Sequence, residues 1–556
     1  MLRVPTLRAV GGVWLLAAAA AVCASCGASR QDGGAPPDAS DDGGPPSDDG
    51  PTTDAAPADG GAEASTDATP PDGAPDAAAA AMANARADDA VEAMLLAFWD
   101  QGQEYLDASV GSTTATGYWT FAQAWDVVLD AVQRHQGARF TGTLRTFYDA
   151  QNAIGWSRSY YDDENWMTLA LLRAYDLTGD ATYLKEAEAL YADITAAWDT
   201  TCCGSTPGGI WWDRAHTQKA TAANAGPVVS GARLFERTKN QSYLAFAQKV
   251  FSYWAANMVD PTTHQVIDDI TSSGQKRAWK FTYNEGLMIG AAVALAHASG
   301  DPSPLMLAHE IAGFVLAHET ESSPLGPILT DGTSAQCGGD CMQFKGIAAR
   351  YLATLYAADT SHTDYLALLD DSADAAWTIA RDPSSRLYGV DWGAALVPPA
   401  QLNATSSAAM AIAAAAMLEG PAPADPAGTY EAEEAVLHGV GLEATHAGFS
   451  GWGYVAGWHA DGQWVDFLVD VPAAGSYDLT FRYAAGAGAA SRRVYVNGAN
   501  AVADQSFAST GAWTTYATQG VTVSLPAGAS TVSLIYDSSL GSTGYVNLDR
   551  LTVKPH

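Results

Sequence analysis

A chain of 556 residues is too long for one hydrophobic core and long enough for two or three domains. With 28 Lys+Arg against 62 Asp+Glu its formal net charge is −34, so nucleic acid is not an expected partner, because phosphate binding needs a basic face. The 17 Trp, 23 Tyr and 53 Gly point elsewhere: flat aromatic side chains offer an apolar platform to the CH-rich face of a sugar, with hydroxyl groups bonding at the rim. Any single Trp is as well explained as core filling.

Residues 1–26 read as an export segment. Arg3 and Arg8 precede an apolar run, Val13-Trp14-Leu15-Leu16 followed by alanines to Val22, which is too short to span a bilayer as a mature helix. Small residues lead to Cys26, an arrangement that resembles a bacterial lipobox whose cysteine becomes the lipidated first residue, although Cys23 stands where Leu is usual. The expectation is a bacterial cell-surface lipoprotein or a plainly secreted protein, touching membrane only through that anchor.

Residues 27–87 are dominated by Asp, Gly, Pro, Ala and Ser and contain no aromatic side chain. Such a stretch cannot bury enough apolar surface to offset its ordering entropy and reads as a disordered acidic tether. Outside the export segment four cysteines remain, Cys202, Cys203, Cys337 and Cys341. In an oxidising compartment these imply one or two disulfides, with three full pairings open and a tie between the two loops expected. A zinc site is the alternative, but no His stands at a ligand spacing from them.

Residues 88–419 are rich in Ala and Leu with helical period. Four segments repeat a helix, a tight polar turn and a second helix opening on a packing Tyr or Leu: around Gly179-Asp180, Lys239-Asn240, Gly300-Asp301 and Asp359-Thr360. The turns recur roughly every 60 residues, about two helices with their connections. Five or six helical hairpins closed into a ring give an (α/α)6 barrel; an open solenoid is the alternative, though helical solenoid repeats are shorter, about 33 to 47 residues.

The chemistry is expected at Tyr160-Tyr161-Asp162-Asp163-Glu164-Asn165-Trp166, directly before an amphipathic helix. A helix N-terminus stabilises negative charge, and ordinary N-capping would account for one acid. Two carboxylates converging on one cleft do more. A retaining glycosidase needs a nucleophile and a proton donor about 5–5.5 Å apart, and mutual repulsion keeps one member of the pair protonated.

This run resembles the Asp-Asp motif of glycoside hydrolase family 76, the endo-α-1,6-mannanases. Gly208-Gly209-Ile210-Trp211-Trp212-Asp213, Lys219 to Asn224, Thr282-Tyr283-Asn284-Glu285-Gly286, Cys337-Gly338-Gly339-Asp340, and Gln343 to Ile347 with Arg350-Tyr351 resemble further family segments in the same order. The resemblance implies an (α/α)6 fold, retaining cleavage of α-1,6-mannosidic bonds in mannan without a catalytic cofactor, Asp162 as nucleophile and Asp163 as acid/base; the residues alone do not say which acid plays which part. Trp166, Trp211, Trp212, Asp213, Asn224, Asn284 and Glu285 are candidate substrate contacts. A mannan transglycosylase on the same fold and a catalytically inactive glycan-binding protein are the alternatives. A polysaccharide lyase is disfavoured for want of a basic cluster. A monomer is expected.

Residues 420–428 form a Pro/Ala linker. Over 429–556 the period changes to strand alternation, with Asn497-Gly498 as a hairpin signal, giving an all-β sandwich (jelly-roll) module. Tyr430 to Glu433, Gly453-Tyr454-Val455 and Val546 to Asp549 resemble carbohydrate-binding modules of families 6 and 35. That resemblance implies a structural Ca2+ on Glu431, Glu433 and Asp549, whose oxygens suit a hard ion, and sugar contacts at Tyr454, Trp513 and Asn547.

Overall fold

The computed structural model describes residues 77–556 apart from Thr206 and Ser334. The export segment, Cys26 and most of the acidic tether lie outside the described residues. Among the described residues no helix is long and apolar enough to cross a membrane.

Twelve α-helices among the described residues build the first domain: α1 (Ala77–Phe98), α2 (Tyr118–Arg134), α3 (Thr141–Ile154), α4 (Tyr161–Thr178), α5 (Ala181–Ala196), α6 (Thr221–Thr238), α7 (Gln241–Met258), α8 (Thr282–Ser299), α9 (Ser303–His318), α10 (Phe344–Ala358), α11 (Thr363–Ala375) and α12 (Leu402–Glu419). The even-numbered helices touch in the closed order α2–α4–α6–α8–α10–α12–α2 and the odd-numbered ones pack outside them. This is the (α/α)6 barrel. Its start differs from the sequence reading, since residues 77–87 belong to α1 and not to the tether. Alanine has the highest helix propensity, and this stretch gains a buried face at Ala80, Asn84 and Ala87, where Asn84 donates to the Gly420 carbonyl at 3.1 Å.

The repeated turns join each of the inner helices α4, α6 and α8 to its outer partner. Gly179, Lys239 and Gly300 close their helices in the left-handed region, at φ 70°, 59° and 72°. Asp180, Asn240 and Asp301 then accept from the backbone N–H two residues on, at 2.8, 3.1 and 2.9 Å. This capping satisfies donors that a helix start leaves open.

Small residues let the inner helices approach. A Cβ on Gly346 of α10 would meet the Ser407 backbone of α12 at 2.6 Å, and one on Gly286 of α8 would meet the Ala348 Cα of α10 at 2.6 Å. Deeper in the ring, Arg173 of α4 and Arg350 of α10 both grip Asp130 of α2, at 2.7 Å each. Asp130 is 1 % exposed, so these charge-assisted bonds tie three inner helices together out of water.

The second domain is a sandwich of two antiparallel sheets. One has the order 441–443, 454–456, 547–555, 475–484, 517–525, with 429–431 also on 547–555; the other runs 499–507, 490–496, 528–535, 464–471, 436–438. Val465, Phe467, Leu479, Phe481, Val532, Leu534 and Leu551 fill the space between them. The module docks on the barrel. Arg139 donates to Glu434 at 2.8 Å, Trp99 Nε1 to the Val440 carbonyl at 3.3 Å, and the Leu437 N–H to Thr146 Oγ1 at 3.0 Å. A 1290 Å³ groove lies between the two domains, lined by Arg139, Tyr430, Glu434 and Arg550 among others and by neither paired aspartate.

Because the α10–α12 contact leaves no room for a side chain, Gly346→Val is expected to destabilise the barrel by about 1–3 kcal/mol or more, read as a lowered thermal midpoint. An unchanged midpoint would show that this contact does not constrain the ring.

Candidate active site

All six inner helices begin at the same end of the barrel, and the acidic run occupies the first turn of α4. Its entry is pinned from outside. Tyr160 forms a β-bridge with Asp213, and the Tyr161 N–H donates to the Trp212 carbonyl at 2.8 Å. This holds the Trp212 indole over the helix start, where Nε1 donates to Asp162 Oδ2 at 2.7 Å. The other Asp162 oxygen accepts from the Asp163 N–H at 3.0 Å.

The three adjacent acids are separated by their partners. Glu164 is fully buried and turned away, accepting from Arg214 at 2.6 Å and from the Arg158 N–H at 2.7 Å. Asp162 and Asp163 remain partly open to the cleft. Loss of hydration raises both carboxyls well above the ordinary range, opposed at Asp162 by the Trp212 and backbone donors; the neighbouring Asp162 and Asp340 charges push Asp163 further. The pair is therefore asymmetric: Asp162 carries the donors that stabilise an anion, and Asp163 is the member better suited to keep a proton.

Asp340, reached on the short helix Gly339–Gln343, is a third carboxylate here; it accepts from Trp119 Nε1 at 3.0 Å and is raised by burial. Aromatic rings continue the wall. Phe344 at the start of α10 packs on Tyr283 at 4.3 Å, Phe281 at 5.2 Å and Trp119 at 6.4 Å between centroids, and Trp119 on Trp166 at 6.4 Å. Tyr160 lies against Trp212 at 4.6 Å and is 40 % exposed. Tyr283, whose hydroxyl donates to Asp268 at 2.8 Å, lies close enough to feel the Asp162 charge.

Of the candidate contacts, Trp212 bonds an acid directly and Trp166 backs the aromatic wall while itself buried. The others serve structure. Trp211 is buried between Lys219 and His216. Asp213 caps the following turn, accepting from the Thr217 N–H at 2.8 Å and its hydroxyl at 2.7 Å. Asn224 clamps both backbone groups of Ile210, at 2.7 and 3.0 Å. Asn284 donates to Asp268 at 2.9 Å beneath Tyr283. Glu285 accepts from the Val266 N–H at 2.9 Å and faces Glu319 in the interior. Trp119, Tyr283, Asp340 and Phe344 are site residues that the sequence reading did not single out as contacts; Tyr283, Asp340 and Phe344 stand within segments it had marked, while Trp119 has no local signal.

The cysteines pair within their own loops, Cys202 with Cys203 and Cys337 with Cys341, so the expected tie between the two loops is not formed. The first loop is held instead by the buried Lys219 ammonium, which donates to the Gly208 carbonyl at 2.7 Å and to Asp199 at 3.2 Å. The second pair brackets Asp340.

In the module Tyr454 is fully buried, its hydroxyl near Thr445 at 2.9 Å and Glu443 at 3.2 Å; it anchors a loop and presents no platform. Trp513 is half-buried, its ring close to the Gly486 backbone and parallel to His446. Asn547 is 8 % exposed.

Residues 82–426 match the family model described as Glycosyl hydrolase family 76. Residues 428–556 match Carbohydrate binding module (family 35). An isomaltosyltransferase of Sporosarcina globispora is 42% identical over 126 residues, 22% of this chain and 11% of that protein. The mannan endo-1,6-alpha-mannosidase DCW1 of Saccharomyces cerevisiae is 25% identical over 237 residues, 39% of this chain. The chain spans about half the length of that curated mannosidase, 51%. Among solved structures, an inactive variant of the α-1,6-mannanase GH76A of Salegentibacter sp. HEL1_6, in complex with α-1,6-mannotriose, superposes with a TM-score of 0.56 at 23% identity, covering 60% of this chain and 99% of that one. The Lin0763 protein of Listeria innocua does so at 0.56 and 25% identity, covering 61% and 97%.

Trp212→Phe removes the side-chain donor on Asp162 while keeping a ring. It is expected to lower kcat/KM about 10- to 100-fold, the worth of a hydrogen bond to a charged group, and to move the acid limb of the pH–rate profile upward. A profile and rate equal to wild type would remove Trp212 from the account.

Proposed function

The chain belongs to glycosyl hydrolase family 76 through residues 82–426, and from that premise we propose that it cleaves α-1,6-mannosidic bonds within mannan, with retention, through Asp162 and Asp163. The observation that carries this reading is the asymmetric half-buried pair at the start of α4, with donors on Asp162 and repulsion on Asp163. The mannan specificity follows the family and the activity named for the yeast relative.

In this mechanism the Asp162 carboxylate attacks the anomeric carbon while Asp163 gives its proton to the departing glycosidic oxygen. The product is a glycosyl ester on Asp162. Asp163, now an anion, takes a proton from water as that water attacks the same carbon and releases the sugar. Transglycosylation differs only in that a sugar hydroxyl replaces the water. The aromatic wall of Trp119, Tyr283 and Phe344 supplies apolar faces for mannose rings beside the pair.

The sign of the pH dependence follows from the same geometry. A raised Asp162 must lose its proton for the first step, so activity falls as pH drops through the first ionisation of the pair. A raised Asp163 must keep its proton, so activity falls again as pH rises through the second. We expect a bell-shaped kcat/KM profile with its acid limb well above pH 4; a profile flat across neutral pH would contradict the pair.

For the C-terminal module we propose glycan binding that holds the enzyme near polymer, with a Ca2+ on Glu431, Glu433 and Asp549. The residues fit a hard cation. Glu433 is fully buried, its Oε2 has no hydrogen-bond partner, and burial with the Glu431 and Glu434 charges raises it strongly. Glu431 is pushed up to about 7 by burial, with the Asp549 charge adding to it. Asp549 is shared with Arg482 and Ser450. A bound Ca2+ supplies positive charge to these oxygens and rigidity to the loop at Ser450. Export with lipid anchoring at Cys26 is part of the same proposal; two disulfides suit an oxidising compartment.

The test is to incubate the full chain, and its Asp162→Asn and Asp163→Asn variants, with linear α-1,6-mannan and follow released oligosaccharides. Short manno-oligosaccharides from wild type, lost at least 1000-fold in both variants on the order of an essential catalytic group, are expected. Products longer than the substrate would indicate transglycosylation. Mannan bound by the wild type without products would point to a binding protein.

A further inference from the structure

The rim opposite the acids carries a second constellation. His309 lies on α9, Asp359 closes α10, and His362 stands directly before α11. One ligand atom from each of these three side chains lies within 4.8 Å of the other two. We propose that they form a binding site for a divalent transition-metal ion of the zinc class.

The distances suit an ion shared by the three side chains. His309 Nε2 is 3.5 Å and His362 Nε2 3.8 Å from the same oxygen, Asp359 Oδ2. Both are long for a hydrogen bond, which falls at about 2.7–3.2 Å. They are close to the edge of a tetrahedron around zinc, about 3.3 Å for bonds of about 2.0–2.1 Å. Two nitrogens and one carboxylate oxygen are the donor types that zinc accepts in sites with an open fourth position.

The groups behind the donors are arranged as a metal site requires. His309 Nδ1 is 3.0 Å from the Tyr365 hydroxyl, which fixes the ring so that Nε2 faces Asp359. Asp359 Oδ1 is occupied by the Ser361 N–H at 3.1 Å and the Ser361 hydroxyl at 2.7 Å, leaving Oδ2 for the shared position. Tyr365 and Ser361 orient the ligating groups and tune their affinity. The imidazoles of His309 and His362 are stacked at 4.3 Å between centroids, and His362 lies on Tyr365 at 4.7 Å, so binding requires the half-exposed His362 ring to turn out of the stack and bring its nitrogen to the shared ion. The side chains are 22 %, 39 % and 38 % exposed in the order His309, Asp359, His362, so an ion reaches them from solvent and water completes its shell.

An ion here would join outer helix α9 to the α10–α11 turn. Asp359 follows the C-terminus of inner helix α10, whereas Asp162 and Asp163 open inner helix α4, so the site stands at the other end of the ring and acts on stability, independent of the cleavage reaction.

The experiment is a calorimetric titration of the chelator-stripped full chain with zinc sulfate, in millimolar calcium to occupy the oxygen site of the module. One saturable site of micromolar or tighter Kd is expected, with a rise of a few degrees in thermal midpoint and unchanged mannan cleavage. His362→Ala and Asp359→Asn lie on an exposed turn; each should keep the wild-type circular dichroism and weaken zinc binding at least tenfold. Wild type without saturable binding, or variants that bind zinc as wild type does, would overturn the proposal.

Discussion

Six inner helices run parallel around one axis, and their close packing at small residues fixes where everything else can stand. Gly286 and Gly346 let α8, α10 and α12 approach to backbone contact. The Arg173 and Arg350 grip on Asp130 joins α2, α4 and α10 in the interior. With the ring closed, six helix N-termini converge on one rim. First-turn residues and the loops before them then meet in one cleft: Trp119 from α2, Asp162 and Asp163 from α4, Tyr283 from α8, and Asp340 with Phe344 from α10. The positive ends of the helix dipoles face that cleft, which offsets part of the cost of gathering three carboxylates there.

Identical chemistry in neighbouring residues is differentiated by partners. Glu164 is neutralised by Arg214 and removed from the cleft. Asp162 receives an indole N–H, while Asp163 lies next to the Asp162 and Asp340 charges. The Trp212 donor is available only because the 212–214 segment bridges back to Tyr160. That segment is in turn steadied by Asn224 on Ile210 and by Lys219 on the glycine-rich loop. Thus residues with no place in the cleft set the polarity of the pair.

The parts of the fold that were legible in the sequence are the parts encoded locally. A left-handed residue followed by an Asp or Asn cap is a short signal, and its recurrence gave the helical hairpins and the ring. The acid pair was legible for the same reason, as a compact run before an amphipathic helix. Residues whose role depends on distant chain were read less well. Asp213, Asn224 and Glu285 carry sugar-binding chemistry by type, but each is consumed by a backbone partner that only the folded chain brings near. Tyr454 is buried by the strand pairing of the module. Trp119 reaches Asp340 across 221 positions, a separation that no local pattern reports. The loop cysteines pair within their own loops, and the first loop is held by Lys219, a partner that no cysteine count reports. The beginning of α1 was hidden by composition, since an alanine stretch reads as tether until Asn84 and the Gly420 carbonyl are seen together.

The central claim is that Asp162 and Asp163 work as nucleophile and proton donor on one anomeric centre. Proton NMR of the first minutes of linear α-1,6-mannan cleavage tests this most directly, because double displacement preserves the anomeric configuration. The account predicts that the new reducing end appears first as the α-anomer, with the β-anomer growing in later by mutarotation. A β-anomer at the earliest times would mean a single displacement by water, and Asp162 would not be the nucleophile.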